Sequence, residues 1–553
     1  MSSHFKWYPA SAETIVPWNA RYSFPSQANA ATKLTPRIPP KNGANFKPGD
    51  VIRLEFPAQG YVNPLNTTLE FDVTLQGWSD GINAALNAEI TRFQNNIQSI
   101  FQRVRLLYGA TPSEDIINYN VIVRSLTEWT STNQTGTIDQ TSIAEGIGGV
   151  TIGKSNSASY GLVNVRDSYI QGINSSLNTT PANFTAGTGF FNTPNGQSQS
   201  GFQGNGGTNL TSYTCTRRYQ VTFALGLFNQ DKLIPTKFMA SQLAIELTLE
   251  QVNSCIFSTK NAGIVGVAPI YGVGNVNLIP EILVFDSSYD AMFLKGLQEG
   301  GVPIKFSSWH TFIFGTQQSS TMMLQIQERS RSVKALFAVQ RRAPPTINTD
   351  SGATFFDSSV QDGVNGNSMQ NYQYRIGGRY YPASPVQLST TPGSGVTNGG
   401  AEAFLELQKA LNIVGDYRLS ASCNTMRWAL PPQTALSGPA TGNTQLNELD
   451  YSQNIQSWGP LGHPTLSLAT VAGVGVLGNS FAGNLGSNCF AMAINLETSN
   501  GVEISGLNAE EQSDISLQIY WKAAQSATNV IEVYSYYDAM WVLRENNVLE
   551  LIQ

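Results

Sequence analysis

LVFDSSYDAM at residues 283–292 and IEVYSYYDAM at residues 531–540 both carry Tyr-Asp-Ala-Met behind a run of alternating apolar residues. The copies stand close to half of the 553-residue chain apart. A repeated tetrapeptide proves little in a chain this long, so its surroundings decide. YQVTFAL begins at Tyr219 and FAMAINL at Phe490, so Tyr219, Val221, Phe223 and Leu225 fall on Phe490, Met492, Ile494 and Leu496. SQLAIELTL begins at Ser241 and SDISLQIYW at Ser513, so Leu243, Ile245 and Leu247 fall on Ile515, Leu517 and Ile519. Upstream, SIFQRVRLLYG at 99–109 faces RSVKALFAVQR at 331–341. Four alternating blocks in the same order read as two copies of one β-domain, with QVNSCIFSTKNAGIVGVAPIYGVG supplying an insertion in the first. Each copy is expected to close in a strand and then a short helix. In the first, Ser288 is placed to cap, Tyr289, Met292, Phe293 and Leu297 have helical spacing, and Gly300 and Gly301 stop it.

The rest of the chain fits a β-protein. VIRLEF at 51–56 alternates Ile52, Leu54 and Phe56 with Val51, Arg53 and Glu55, and TLEFDVTL at 68–75 puts Leu69, Phe71, Val73 and Leu75 on one face. Polar residues at every second position predict antiparallel sheets with one wet face. A length of 553 residues exceeds one ordinary core and predicts two large domains. Residues 1–45 read as an extended arm, broken by Pro9, Pro17, Pro25, Pro36, Pro39 and Pro40 and carrying the aromatic anchors Trp7, Tyr8, Trp18, Tyr22 and Phe24. The first domain then spans 46–300, with a weakly hydrophobic insertion at about 127–212. The second spans 301–553, with a Gly/Asn/Ser/Pro-rich insertion at about 343–400.

Composition excludes several classes. Charged residues are 13% and the net charge is −6, with no Lys/Arg run, so a nucleic-acid-condensing protein is not expected. Cys215, Cys255, Cys423 and Cys489 are far apart and form no C-x-x-C pair, which reads as buried small apolar residues in a reducing compartment. The N-terminal MSSHFKWYPASAE lacks a basic stretch followed by an apolar run, so no signal peptide is expected, and no stretch of about 18 apolar residues occurs. Without a secretory route, sequons such as Asn66, Asn174 and Asn183 read as loop chemistry.

No catalytic set is legible. His4, His310 and His463 share no motif with Cys, Asp or Glu, and His310 sits in a strand pattern as a packing histidine. Gly473, Gly475 and Gly478 match G-x-G-x-x-G, but NSFAGNLGSN behind them is loop rather than helix, so no dinucleotide site is expected. GNSFAG at 478–483 misses the nucleophile-elbow pattern by its final glycine. Glu510, Glu511 and Asp514 read as solvated loop acids. Catalytic, cofactor-binding and metal residues are therefore each read as none.

RRYQVTFALGLFNQDKLIPTKFMASQLAIELTLE at 217–250 resembles the end of the first roll of a double jelly-roll major capsid protein. That lineage includes adenovirus hexon, virophage capsids and polinton-like viruses. SIFQRVRLLYGATPSEDIINYN at 99–120 is similar to a strand-and-helix segment near the front of the same roll. The resemblance implies an all-β fold of two tandem eight-stranded jelly-roll β-sandwiches with long loop insertions and a few short helices. It implies a non-enzymatic protein whose homotrimers have a pseudo-sixfold outline and tile an icosahedral dsDNA virus shell. Neighbouring capsomers, penton and minor capsid proteins are its implied partners, and no sequence-specific nucleic-acid contact is. The implied location is the virion, assembled inside the host cell and not secreted. Insertions 127–212 and 343–400 become outward towers, and the arm lies at the inner face or on a neighbour. An inner membrane is common in the lineage, and nothing in the sequence demands one. The alternatives are a two-domain β-sandwich glycan-binding protein, with an exposed aromatic platform and acids on one loop edge, and a β-sandwich hydrolase with a carboxylate pair in a groove.

Overall fold

The computed structural model describes residues 31–76, 90–93, 97–130, 150–154, 160–164, 201–203, 214–258, 269–315, 318–342, 358, 369–388, 400–414, 490–497, 505–510, 514–525, 529–545 and 549–553. The aromatic anchors of residues 1–30, His4, His463, Cys423, Cys489, Asn174, Asn183, Glu511 and the 473–478 glycines lie outside them.

The first half contributes β1 (Ala31–Leu34), β2 (Asn45–Phe46), β3 (Val51–Glu55), β4 (Tyr61–Gln76), β5 (Phe101–Tyr108), β6 (Thr111–Ile117), β7 (Thr214–Val221), β8 (Leu243–Leu249) and β9 (Ile270–Phe285). They form one sheet in the order β1-β9-β4-β7, with β2 also on β9, and a facing sheet in the order β3-β8-β5-β6. The second half contributes β10 (Val302–Gly315), β11 (Thr321–Gln325), β12 (Val333–Arg342), β13 (Met369–Ile376), β14 (Arg379–Gln387), β15 (Met492–Asn495), β16 (Ile515–Trp521), β17 (Asn529–Leu543) and β18 (Leu549–Ile552). Its sheets run β10-β17-β12-β15, with β18 added to β17, and β11-β16-β13-β14. Strand for strand the two orders are the same, and it is the jelly-roll order in each half. The chain is two tandem jelly rolls.

Period-two burial builds both rolls. Ile52, Leu54, Leu69, Phe71, Val73 and Leu75 are at most 2% exposed, as are Leu243, Ile245 and Leu247 and their expected counterparts Leu517 and Ile519. Tyr219, Val221, Phe223 and Leu225 are buried, and so are Phe490, Met492, Ile494 and Leu496. These two blocks therefore pair as expected, β7 with β15 and β8 with β16.

The other two blocks pair differently. SIFQRVRLLYG supplies β5, which lies between β8 and β6, whereas RSVKALFAVQR supplies β12, which lies between β17 and β15. The counterpart of β12 is β4, and that of β5 is β13. Alternation identifies a strand and its buried face, not its place in a sheet. The Tyr-Asp-Ala-Met copies differ outright. Residues 289–292 lie in a helix, α2 (Ser287–Gln298), capped by Asp286, whose side chain accepts from the Tyr289 amide, rather than by Ser288. Residues 537–540 lie inside β17, paired along its length to β10 and near its end to β18. Pairing on both sides holds the second copy extended, while the N-cap favours the helix in the first.

Two expected boundaries move. Ala31–Phe46 runs antiparallel along β9, through Ala31 opposite Phe285, a bridge from Ile38 to Leu278, and Phe46 opposite Val273. These residues, assigned to the arm, form an edge of the first sheet. Pro36, Pro39 and Pro40 are tolerated there because an edge strand leaves one row of amides without ladder partners. The stretch 343–400, expected as a loop insertion, holds β13 and β14, with Tyr372, Tyr374, Ile376 and Val386 buried. Gly and Pro around them mask the alternation, and Pro382 and Pro385 sit on a sheet edge. In the 127–212 stretch, helix α1 (Tyr119–Thr130) occupies the start, and the strands Val150–Lys154 and Tyr160–Asn164 pair as a hairpin.

Candidate functional site: the seam between the rolls

Among the described residues no sheet mixes strands of the two rolls, yet their buried side chains form one contiguous core. Contact is made by β6 and α1 of the first roll, against the β10 edge and the outer face of the β10-β17-β12 sheet.

Glu114 on β6 is 1% exposed. It accepts from the Gly226 and Leu227 amides, at 2.7 and 2.9 Å, and from the Ser308 hydroxyl on β10. One carboxylate thus ties the LGLF turn of the first roll to the second roll. Burial pushes its carboxyl up from the usual range, against the pull of those three donors. Gly226 is required at that turn, because a Cβ there would stand 2.1 Å from the Ser307 carbonyl oxygen. Beside it, the Trp541 indole donates to the Ser113 hydroxyl at 2.6 Å, and the Thr311 hydroxyl donates to the Ile117 carbonyl at 2.9 Å.

Glu532 on β17 is fully buried. It accepts from Asn118 of the first roll at 2.6 Å, from the Tyr534 hydroxyl at 2.7 Å, and from Arg341 Nε at 2.9 Å. Burial lowers the Arg341 guanidinium, but the charge and hydrogen bonds of Glu532 outweigh it and hold the group above its ordinary value. Asn118 reaches Glu532 from a left-handed backbone, φ 52°, a conformation asparagine tolerates well. Farther along, Trp129 of α1 stacks on Phe337 of β12, centroids 5.5 Å apart. Phe337 also meets Trp309, which meets Tyr536.

A cleft of ≈ 290 Å³ opens at this seam, lined by Asp115, His310, Phe312, Glu328, Arg329 and Gln553 among others. His310 packs on the Tyr537 ring at 4.0 Å, as its strand position predicts, and its Nδ1 lies 3.2 Å from both Glu328 oxygens. Burial pushes the Glu328 carboxyl up, but the hydrogen bond and charge of His310, with the Ser330 hydroxyl as donor, bring it down to about 2. Among the described residues, no three His, Cys, Asp or Glu side chains gather as a metal site. Glu510, in a turn, pairs with Arg331 at the surface, and Asp514 pairs with Arg375 and accepts from Gln325. Asn66 donates to Glu281. Cys255 is a free buried thiol.

A smaller aromatic cluster fixes the connector. Tyr61 receives Phe285, Tyr289 and Phe293 edge-on at 5.3–5.5 Å and donates to Asp290, which also pairs with Lys237. Sequence reasoning missed the whole seam. Its signals are a buried Glu in TPSEDII and a Trp at the end of an amphipathic helix, neither of which names a partner.

No family model matches the chain, and no curated protein matches it. Solved structures do. The chain is similar to the Faustovirus major capsid protein at 9% identity and TM-score 0.50, over 96% of this chain and 93% of that one. It is also similar to the mavirus major capsid protein, at 9% identity and TM-score 0.48 over 98% and 95%. A further match is the PBCV-1 virus capsid, at 10% identity and TM-score 0.47 over 96% and 99%. The Faustovirus likeness establishes a shared double jelly-roll fold.

Proposed function

We propose that this chain is the structural major capsid protein of an icosahedral dsDNA virus, a building block without catalysis. The observation that carries the reading is the tandem pair of same-order jelly rolls fused through one core. The Faustovirus likeness along almost the whole of both chains supports it. A protein that tiles a shell needs each capsomer side to be stiff, and the buried seam supplies that stiffness. Three chains of two rolls offer six similar flanks, the outline that a hexagonal lattice accepts. On this reading the chain divides into an N-terminal arm, a first roll and a second roll with outward insertions. It resides in the virion, assembles inside the host cell, and meets neighbouring capsomers, pentons and minor capsid proteins.

The test is hydrodynamic and visual. Purified chain at micromolar concentration is expected to scatter light at three times the 59.9 kDa chain mass and to appear hexagonal in negative stain. A clean monomer or dimer refutes the reading.

A further inference from the structure

Tyr537 of β17 stands between two buried carboxylates, one from each roll. It is 1% exposed. Burial first, then the charges of Glu114 and Glu328, push its hydroxyl up from the ordinary value. On the first-roll side, Glu114 is held by the Gly226 and Leu227 amides and the Ser308 hydroxyl, and among the described residues no cation contacts it. Ser308 lies opposite Tyr537 in the β10–β17 ladder. On the second-roll side, Glu328 is buried and accepts from the Arg329 and Ser330 amides at 2.8 and 2.9 Å and from the Ser330 hydroxyl at 2.7 Å. Among the described residues, His310 is the side chain in contact with it that can carry positive charge, with Nδ1 3.2 Å from both oxygens and its ring stacked on Tyr537. Two residues along β10 from Ser308, His310 shares its face of the strand. It keeps 32% of its side chain exposed, at the wall of the ≈ 290 Å³ cleft.

The remaining charges around the imidazole are Asp115 of β6 and Arg329 of the β11–β12 connection, both on the cleft wall. Asp115 is held by Arg103 and Arg105, and Arg329 is exposed. Asp538, the next acid along β17, is engaged by Ser307, Ser332 and Lys334. The Gln327 and Gln553 side chains that complete the wall are uncharged.

The geometry points to His310 as a proton-operated latch on the joint between the two rolls. Protonated, it neutralises Glu328, and Glu114 faces a balanced pair across Tyr537. Neutral, it leaves a buried carboxylate on each side of one tyrosine, one in each roll, and their repulsion acts to part the seam. The proton leaves to water through the cleft, where the imidazole edge is exposed. Histidine as a residue type exchanges its proton between about pH 5 and 8. The latch therefore contributes stability on the acid side of that window, and the contribution is lost as pH rises through it. Farther down, toward pH 2, protonation of Glu328 itself ends the pair.

The test is hydrogen exchange on the full chain at about pH 5.5 and about pH 8, read as protection factors corrected for the intrinsic pH dependence of exchange. The Gly226 and Leu227 amides report the hold on Glu114 in the first roll, and the Arg329 and Ser330 amides report the hold on Glu328 in the second. In the wild type, protection at Gly226 and Leu227 is expected to fall about tenfold between the two conditions. His310→Gln, never charged, is expected to show the low level at both, and His310→Arg, always charged and with the cleft to extend into, the high level at both. Both variants leave Glu114 and its three donors in place, so their opposite plateaus separate lost charge from lost packing. A pH response confined to Arg329 and Ser330 makes the pair local to the second roll and overturns the inference. A response that persists at Gly226 and Leu227 in both variants overturns it too, and so does low protection in both, which marks a packing defect.

Discussion

Replacing Glu532 with Gln isolates the ionic lock at the seam. The substitution keeps the volume and removes the charge that Arg341 faces in a fully buried site. It also weakens the acceptor for Asn118 of the other roll. Leaving one partner of a buried pair uncompensated costs about 3–5 kcal/mol. Unfolding entropy runs at about 2.1 cal/mol/K per residue, so a chain of this length melting as one unit carries about 1.2 kcal/mol/K. A loss of about 4 kcal/mol then lowers its midpoint by about 3 °C. Were the second roll to melt alone, its roughly 250 residues would carry about 0.5 kcal/mol/K, and its midpoint would fall by about 8 °C while the first roll's stayed. The shared core predicts the first outcome. Calorimetry of E532Q should show one transition displaced by a few degrees, and the double variant Glu532→Gln, Arg341→Met should recover much of the loss. Two transitions with only one moving would refute the view that the rolls share a cooperative core, and an unchanged midpoint would refute the role of the ion pair.

Gly226→Ala places a methyl against the Ser307 carbonyl, where backbone must shift, so the variant is expected to express poorly or melt several degrees lower; a wild-type melt would contradict the close approach. Acid should loosen the second roll beside the seam through Glu328. Its folded carboxyl, near 2, lies below its ordinary 4.5, so its stabilisation is complete above about pH 4.5 and is lost as pH falls toward 2. Its size is about 3 kcal/mol, and His310→Ala should move the acid-unfolding midpoint upward, as followed by tryptophan fluorescence. The ladder Arg53–Glu246–Arg105–Asp115 on the outer face of the first roll is partly exposed. Arg53→Ala should therefore cost under about 1 kcal/mol in urea melts, and less at high salt.

The strands that alternate cleanly were legible from the chain alone. SQLAIELTL and SDISLQIYW name their buried faces because side chains on a strand repeat every second residue, and that local rule survives folding. The doubling was legible for the same reason, since two such blocks recur in order. The tetrapeptide that first advertises the duplication was a poor guide to local structure. Tyr-Asp-Ala-Met coils at 289–292 behind Asp286 and extends at 537–540 between two partner strands. Four residues carry too little intrinsic preference to resist a cap in one place and a ladder in the other. Which strand lies beside which was likewise settled in three dimensions, as the mismatch of β5 with β12 records. The seam belongs wholly to tertiary structure. Glu114 meets Ser308 across 194 positions of sequence, and Asn118 meets Glu532 across 414. A buried carboxylate becomes tolerable only when donors from elsewhere converge on it, and no local pattern announces that convergence.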